Sequence, residues 1–243
     1  GDPGVTFTAV TQIGTETAVI IYFWRDIVRI ISHWFKSLPV GPWKNQVPRN
    51  DPDARMGWIV IFGTFPIVIL GLLLEGWIDS VFRNLYLTAL MLAVFAVLLG
   101  LADRLGKRNK NLGDMTIRDG VTLGFAQSMA LIPGVSRSGG TITVGLALGY
   151  TRSAAARISF LLAIPAVMGS GLYRLFSDDG TGPQAGAMPT LVATIAAFIV
   201  GFVVIVGFLK LVETRSYIPF VIYRLILAAA VVFMLGQGIL SPY

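Results

Sequence analysis

One short stretch of this sequence gathers the residue types that handle phosphate: Pro133-Gly134-Val135-Ser136-Arg137-Ser138-Gly139-Gly140-Thr141. Glycines let a backbone turn tightly and approach a ligand, and the amides that open a helix carry partial positive charge. The hydroxyls of Ser136, Ser138 and Thr141 add donors, and Arg137 adds a planar guanidinium that matches two phosphate oxygens at once. Together they read as an anion cradle, with Gly134 giving the turn. The competing reading has the hydroxyls merely capping a broken helix while Arg137 bonds carbonyls. The stretch lacks the lysine and spacing of a nucleotide P-loop.

The elements that must hold this cradle belong to a membrane. The 243 residues are 55% hydrophobic and 13% charged, against roughly a quarter charged in a soluble domain. Cysteine is absent and histidine occurs once. That excludes disulfides, thiolate chemistry and His-cluster metal sites, so a metal would be held by oxygen. Apolar runs predict six spans: Phe7 to Trp24, Gly57 to Gly76, Leu85 to Ala102, Ala154 to Phe176, Thr190 to Leu209 and Tyr217 to Ile239. Between the third and fourth, Asp119 to Tyr150 has two apolar halves, each too short to cross. It reads as a re-entrant hairpin with the cradle at its tip, where irregular backbone at membrane depth must line a cavity or be covered by protein. The predicted fold is an all-α integral membrane protein of six transmembrane helices plus a re-entrant helical hairpin, one membrane domain over residues 1–243.

Basic residues set the orientation. Fifteen fall on the side of Arg25 to Arg55, Arg104 to Arg118, Arg152, Arg157, Lys210 and Arg215, and two, Arg83 and Arg174, on the other. The rich side is predicted cytoplasmic, with both termini outside. The formal charge of +6 is thus topological and does not point to nucleic acid. Three spans precede the hairpin and three follow it, so a repeat relating residues 1–118 to 119–243 would be inverted in the membrane. The second half begins with a hairpin and the first does not, which suggests a partner hairpin missing before Gly1.

The run Gln127 to Thr141, continued by Ser159-Phe160-Leu161-Leu162-Ala163-Ile164-Pro165, resembles the signature of the undecaprenyl-diphosphate phosphatases, the bacitracin-resistance family. Thr11-Gln12-Ile13-Gly14-Thr15 and Ile218-Pro219-Phe220-Val221-Ile222-Tyr223-Arg224 fit it too. The resemblance implies an inner-membrane enzyme that hydrolyses the C55 isoprenoid diphosphate to monophosphate and inorganic phosphate, recycling the carrier lipid for peptidoglycan synthesis. It also implies a divalent cation, Mg2+ or Ca2+, and a site opening to the outer face between two inverted hairpins. By this resemblance Arg137 clamps the diphosphate, and Ser136, Ser138 and Thr141 donate to it. Ser136 and Arg137 are then the catalytic candidates. The family's first hairpin, with a Glu-x-x-x-Glu pair, a serine-rich turn and a histidine, has no counterpart in these residues. Metal ligands and general base are therefore unassigned, and residues 1–243 alone are expected to be nearly inert. His33, in the predicted cytoplasmic loop, is no substitute.

Four further positions are candidates. Gln127 lies where the other hairpin would carry a glutamate, and either touches ligand or packs helices. Glu16 is the only acidic residue deep in a predicted span, with Gln12 one turn before it. Arg224 lies too deep in the last span to go unpartnered, and would pair with Glu16 or substrate, or bind carbonyls. The alternative function is a transporter or flippase of an anionic isoprenoid lipid, since broken helices and a buried arginine serve transport as well. A homodimer is left open.

Overall fold

The computed structural model describes residues 5–43, 46–48, 50–74, 84–177 and 186–242. Gly1 to Gly4, Gly76 and Arg83 lie outside the described residues, as does the Arg174 side chain. The described residues form eight α-helices: α1 Val5–Ser37, α2 Pro52–Leu73, α3 Leu85–Leu105, α4 Ile117–Ser128, α5 Arg137–Ala147, α6 Arg152–Ser177, α7 Ala187–Thr214 and α8 Ile218–Gly236. Among them there is no strand beyond an isolated bridge between Lys110 and Tyr150.

Local chemistry sets the helix starts. Asp51 caps α2 by accepting from the amides of Asp53 and Ala54, with Pro52 opening the helix. Asn84 caps α3, and Thr116 and Asp119 form a reciprocal capping box on α4. Five helices, α2, α3, α6, α7 and α8, are long and apolar enough to cross a membrane. The most and the least apolar of them lie at opposite ends of burial. The α7 span has mean hydropathy 2.8 and is 6% buried, whereas α6 has 1.4 and is 44% buried. An outer helix can be apolar all round, while a central one packs small and hydroxyl side chains against neighbours. The long helix α1 is not among the five, because Gln12, Glu16 and its threonines dilute its apolar run.

Helix α1 runs on past the predicted span end at Trp24 to Ser37. Arg25, Arg29, His33 and Lys36 are therefore on helix rather than in a loop. The reason is pairing: Asp26 meets Arg157 of α6, Arg29 meets Asp53 at 2.9 Å, and His33 Nδ1 meets Asp51 at 2.9 Å. Charges that look like loop in the sequence are the polar side of an amphipathic continuation.

Helices α4 and α5 form a hairpin. At 12 and 11 residues they reach only about 18 Å and 17 Å at 1.5 Å per residue, short of the roughly 30 Å hydrocarbon core. Their feet are tied. Tyr150 Oη donates to Asp119 Oδ2 at 2.7 Å, the Lys110 amide donates to Gly149 O at 3.0 Å, and the Thr151 amide donates to Lys110 O at 2.9 Å. Gly149, at φ +91°, ends α5. Burial pushes the Asp119 carboxyl up, but hydrogen bonds from Thr116 and Tyr150 outweigh it and hold the group below its ordinary value. Burial and then the Asp119 charge push the Tyr150 hydroxyl up. The rising arm packs backbone to backbone on α2: a Cβ at Gly124 would overlap the Gly63 carbonyl. Helix α5 lies against α3, α4 and α6.

Candidate functional site

The hairpin tip turns through a single 3-10 turn, Met129–Leu131, then Pro133 and Gly134 at φ +92°. A Cβ at Gly134 would overlap the Thr88 carbonyl of α3, so the tip lies flat on that helix. Val135 is buried, and Ser136 follows at φ 71°, ψ 126°, exposed. That left-handed backbone is rare for serine. Ser136 caps α5: its Oγ accepts from the Gly139 amide at 3.2 Å and its carbonyl accepts from Gly140 at 2.9 Å. The amides of Ser136, Arg137 and Ser138 have no acceptor among the described residues, so three donors stand open in succession where α5 begins.

Arg137 is half-buried. Among the described residues its guanidinium makes no hydrogen bond or ion pair. Its electrostatic partner is Glu16 of α1, which the Gln12 side chain also approaches. Glu16 and Arg137 act on each other without closing to ion-pair distance. The structure thus brings Gln12, Glu16 and Arg137 together across the α1 to α5 gap. Ser138 is half-buried and its hydroxyl has no partner among the described residues.

Other candidates are placed differently. Thr141 is fully buried and its hydroxyl donates to Arg137 O at 2.8 Å, one turn back, so its proton is used inside α5. Gln127 is fully buried, and neither its amide oxygen nor its nitrogen has a partner among the described residues. Such an orphan is costly and marks a place where a water or ligand atom is required. Arg224 does not meet Glu16. Its Nη2 donates to Gly134 O at 2.6 Å and Val135 O at 3.1 Å, and its Nε to Leu92 O at 3.4 Å. Sequence reasoning missed the backing of the tip by Thr88 and Leu92, whose contributions are backbone carbonyls and carry no side-chain signal.

The whole arrangement can be set against known proteins. Residues 1–230 match the family Bacitracin resistance protein BacA. This chain belongs to the BacA family. An undecaprenyl-diphosphatase of Micrococcus luteus is 56% identical over 243 residues, covering 99% of this chain and 86% of the relative. One from Pseudarthrobacter chlorophenolicus is 57% identical over 244 residues, with the same shares. Undecaprenyl-diphosphatase 2 of Agrobacterium fabrum is 55% identical over 241 residues, covering 99% of this chain and 84% of the relative.

One group of described residues in this BacA chain has metal-binding geometry: His33, Asp51 and Asp53 offer ligand atoms within 4.8 Å of one another. It lies seventeen residues along α1 from Glu16, about 26 Å away at 1.5 Å per residue. Its atoms are also engaged. Asp51 Oδ1 accepts from the Asp53 and Ala54 amides and pairs with His33, and Asp53 pairs with Arg29. Burial raises the Asp51 carboxyl, but the Ala54 amide and His33 overcome this and hold it below its ordinary value. The group serves as a helix cap and ion-pair network and does not belong to the hairpin tip.

Proposed function

We propose that this chain hydrolyses undecaprenyl diphosphate to undecaprenyl phosphate and inorganic phosphate, recycling the carrier lipid for peptidoglycan synthesis and conferring bacitracin resistance. The observation that carries the reading is Arg137, a half-buried cation without a hydrogen-bonding partner among the described residues, at the opening of α5. A guanidinium in that state needs an anion, and a diphosphate supplies oxygens in matching pairs.

In this mechanism Arg137 clamps the diphosphate while the amides of Ser136, Arg137 and Ser138 receive its oxygens above Gly134. The Ser136 and Ser138 hydroxyls donate, and Thr141 stiffens the first turn of α5. An oxygen nucleophile attacks the terminal phosphorus, the P–O bond to the bridging oxygen breaks, and the charge gathers on the departing lipid phosphate. Donors fixed beforehand at that position lower the barrier without reorganising. Gln127 contributes its orphan amide to ligand or to a bound water. Glu16, beside Arg137 and hydrogen-bonded by Gln12, is the carboxylate among the described residues that would help hold a divalent cation at the tip. When bound, the cation neutralises charge on the transferring phosphoryl group.

The proposed setting is the bacterial inner membrane: six spans, a re-entrant hairpin with cytoplasmic feet, halves 1–118 and 119–243 inverted, and a site open to the outer face. The test is phosphate release from C55 diphosphate by the full-length protein in detergent, abolished by a chelator. Movement of intact lipid without phosphate release would favour the flippase instead. For orientation, a cysteine at Lys107 should react with impermeant thiol reagent only in opened cells, and one at Gln237 in intact ones.

A further inference from the structure

Hydrolysis as described leaves Arg224 without a task, although a charge this deep in α8 must be held by something. No carboxylate meets it at ion-pair distance among the described residues. What it grips are the carbonyls of Gly134 and Val135, and behind them that of Leu92. Those first two carbonyls share peptide units with the N–H groups of Val135 and Ser136. No described peptide bond is cis, and in a trans peptide the N–H points away from the carbonyl. Holding the Val135 carbonyl therefore turns the Ser136 amide away from Arg224. That amide is the first of the three open donors at the start of α5, the kind of successive N–H run that receives anions. A charge-assisted bond at the carbonyl end also polarises the peptide and strengthens the N–H at the other end.

Ser136 at φ 71° needs such a hold. A non-glycine residue in that region is strained and persists only where its surroundings over-determine it. Arg224 fixes the backbone before Ser136, and the bonds from Gly139 and Gly140 fix it afterwards. The guanidinium also flanks the turn closely: a Cβ at Gly139 would sit 3.0 Å from Arg224 Nη1 and 3.3 Å from Ser136 Oγ.

We propose that Arg224 is a positioning residue: by holding the Gly134 and Val135 carbonyls it keeps Ser136 in its left-handed turn and aims the Ser136 amide and the Arg137 guanidinium at the diphosphate. The inference rests on Arg137 being the phosphate clamp. Its test is a double-substitution cycle on the full-length protein, reading kcat, KM and thermal unfolding for Arg224→Gln, Arg137→Lys and the pair. Arg224→Gln should lower kcat about 100-fold and raise KM by no more than about tenfold, because misaimed donors act more on the transition state than on bound substrate. On the Arg137→Lys background the same change should cost less than about tenfold, since little aim remains to be lost. Multiplicative losses, or a loss matched by a falling folded fraction, would overturn the proposal. Should Arg224→Gln fail to fold, Arg224→Lys decides: about a tenfold loss in kcat supports the proposal, and unchanged turnover overturns it. If the unaltered protein releases no phosphate, the hydrolytic reading fails by itself. The positioning claim is then judged by pyrophosphate binding, which Arg224→Gln should weaken about tenfold and which an unchanged affinity would refute.

Discussion

Near the foot of the hairpin, Asp103 is 3% exposed and holds Arg152 through bonds of 2.5 Å and 3.1 Å, while the Tyr217 amide reaches the same carboxylate at 3.0 Å. At the tip, Arg137 has no such partner among the described residues, Gln127 is buried with both amide atoms unmatched, and Ser136 is held in a left-handed turn. Both regions bury polar groups, yet only one satisfies them. A closed network repays the desolvation of its charges through geometry and ties α3, α6 and α8 into one end of the bundle. An open one leaves that repayment to whatever binds, which is what a site requires. Substitutions at the foot should therefore show up as lost stability, and those at the tip as lost turnover.

The largest effect is expected at Arg137. Arg137→Ala should cost about 10³ in kcat/KM, and Arg137→Lys about 100-fold, because an ammonium cannot make two parallel bonds to phosphate. Thermal unfolding should change little in both, since no hydrogen bond or ion pair among the described residues is lost. A variant that unfolds early would show that Arg137 belongs to the closed kind of network after all. Next comes Asp103→Ala, expected to lower stability by about 3 kcal/mol by leaving Arg152 unpaired. Phosphate release per folded molecule should stay within about twofold. A selective loss of turnover there would dissolve the contrast between the two ends.

Much of this contrast was legible in the sequence. A Pro-Gly pair between two short apolar segments marked the turn between α4 and α5, and a guanidinium among hydroxyls and glycines is what the proposed cradle rests on. Three features were not legible, each because the deciding partner is distant or is backbone. The extension of α1 depends on Arg157 and Asp53, contributed by α6 and α2. Carbonyl binding is one of the sequence readings of Arg224, but the carbonyls it meets lie more than eighty residues away and have no sequence pattern that would name them. Thr141 looks like a ligand donor in the sequence, but its hydroxyl bonds one turn back within α5. That last difference sharpens the picture of the tip. Ser136→Ala removes the Gly139 cap and an open hydroxyl together, and should cost about tenfold in kcat. Thr141→Ala should cost less, about threefold, because its hydroxyl proton is already engaged by the Arg137 carbonyl. Equal losses would mean that Thr141 turns toward the substrate.

The smallest effect belongs to the foot and separates by pH. Tyr150→Phe deletes one bond to Asp119, worth about 1.5 kcal/mol for a hydrogen bond to a charged acceptor. Asp119 is held below its ordinary value of 3.8 despite burial, by Thr116 and Tyr150 among others. A group whose folded pKa is depressed contributes stability above its unfolded pKa, and loses it as pH falls through the folded value. The Tyr150→Phe deficit in thermal unfolding should thus be full at neutral pH and narrow below about pH 4, where Asp119 takes a proton. At the alkaline end the raised Tyr150 hydroxyl keeps its proton past the ordinary value of 10.0, so the deficit should persist there. Turnover at neutral pH should not change, because the bond lies at the hairpin's foot and its tip is held separately by Arg224. A deficit that ignores pH would mean that the tie between the feet is packing rather than a bond to a carboxylate. A loss of turnover would mean that foot and tip are coupled along the hairpin, against the division on which the other predictions stand.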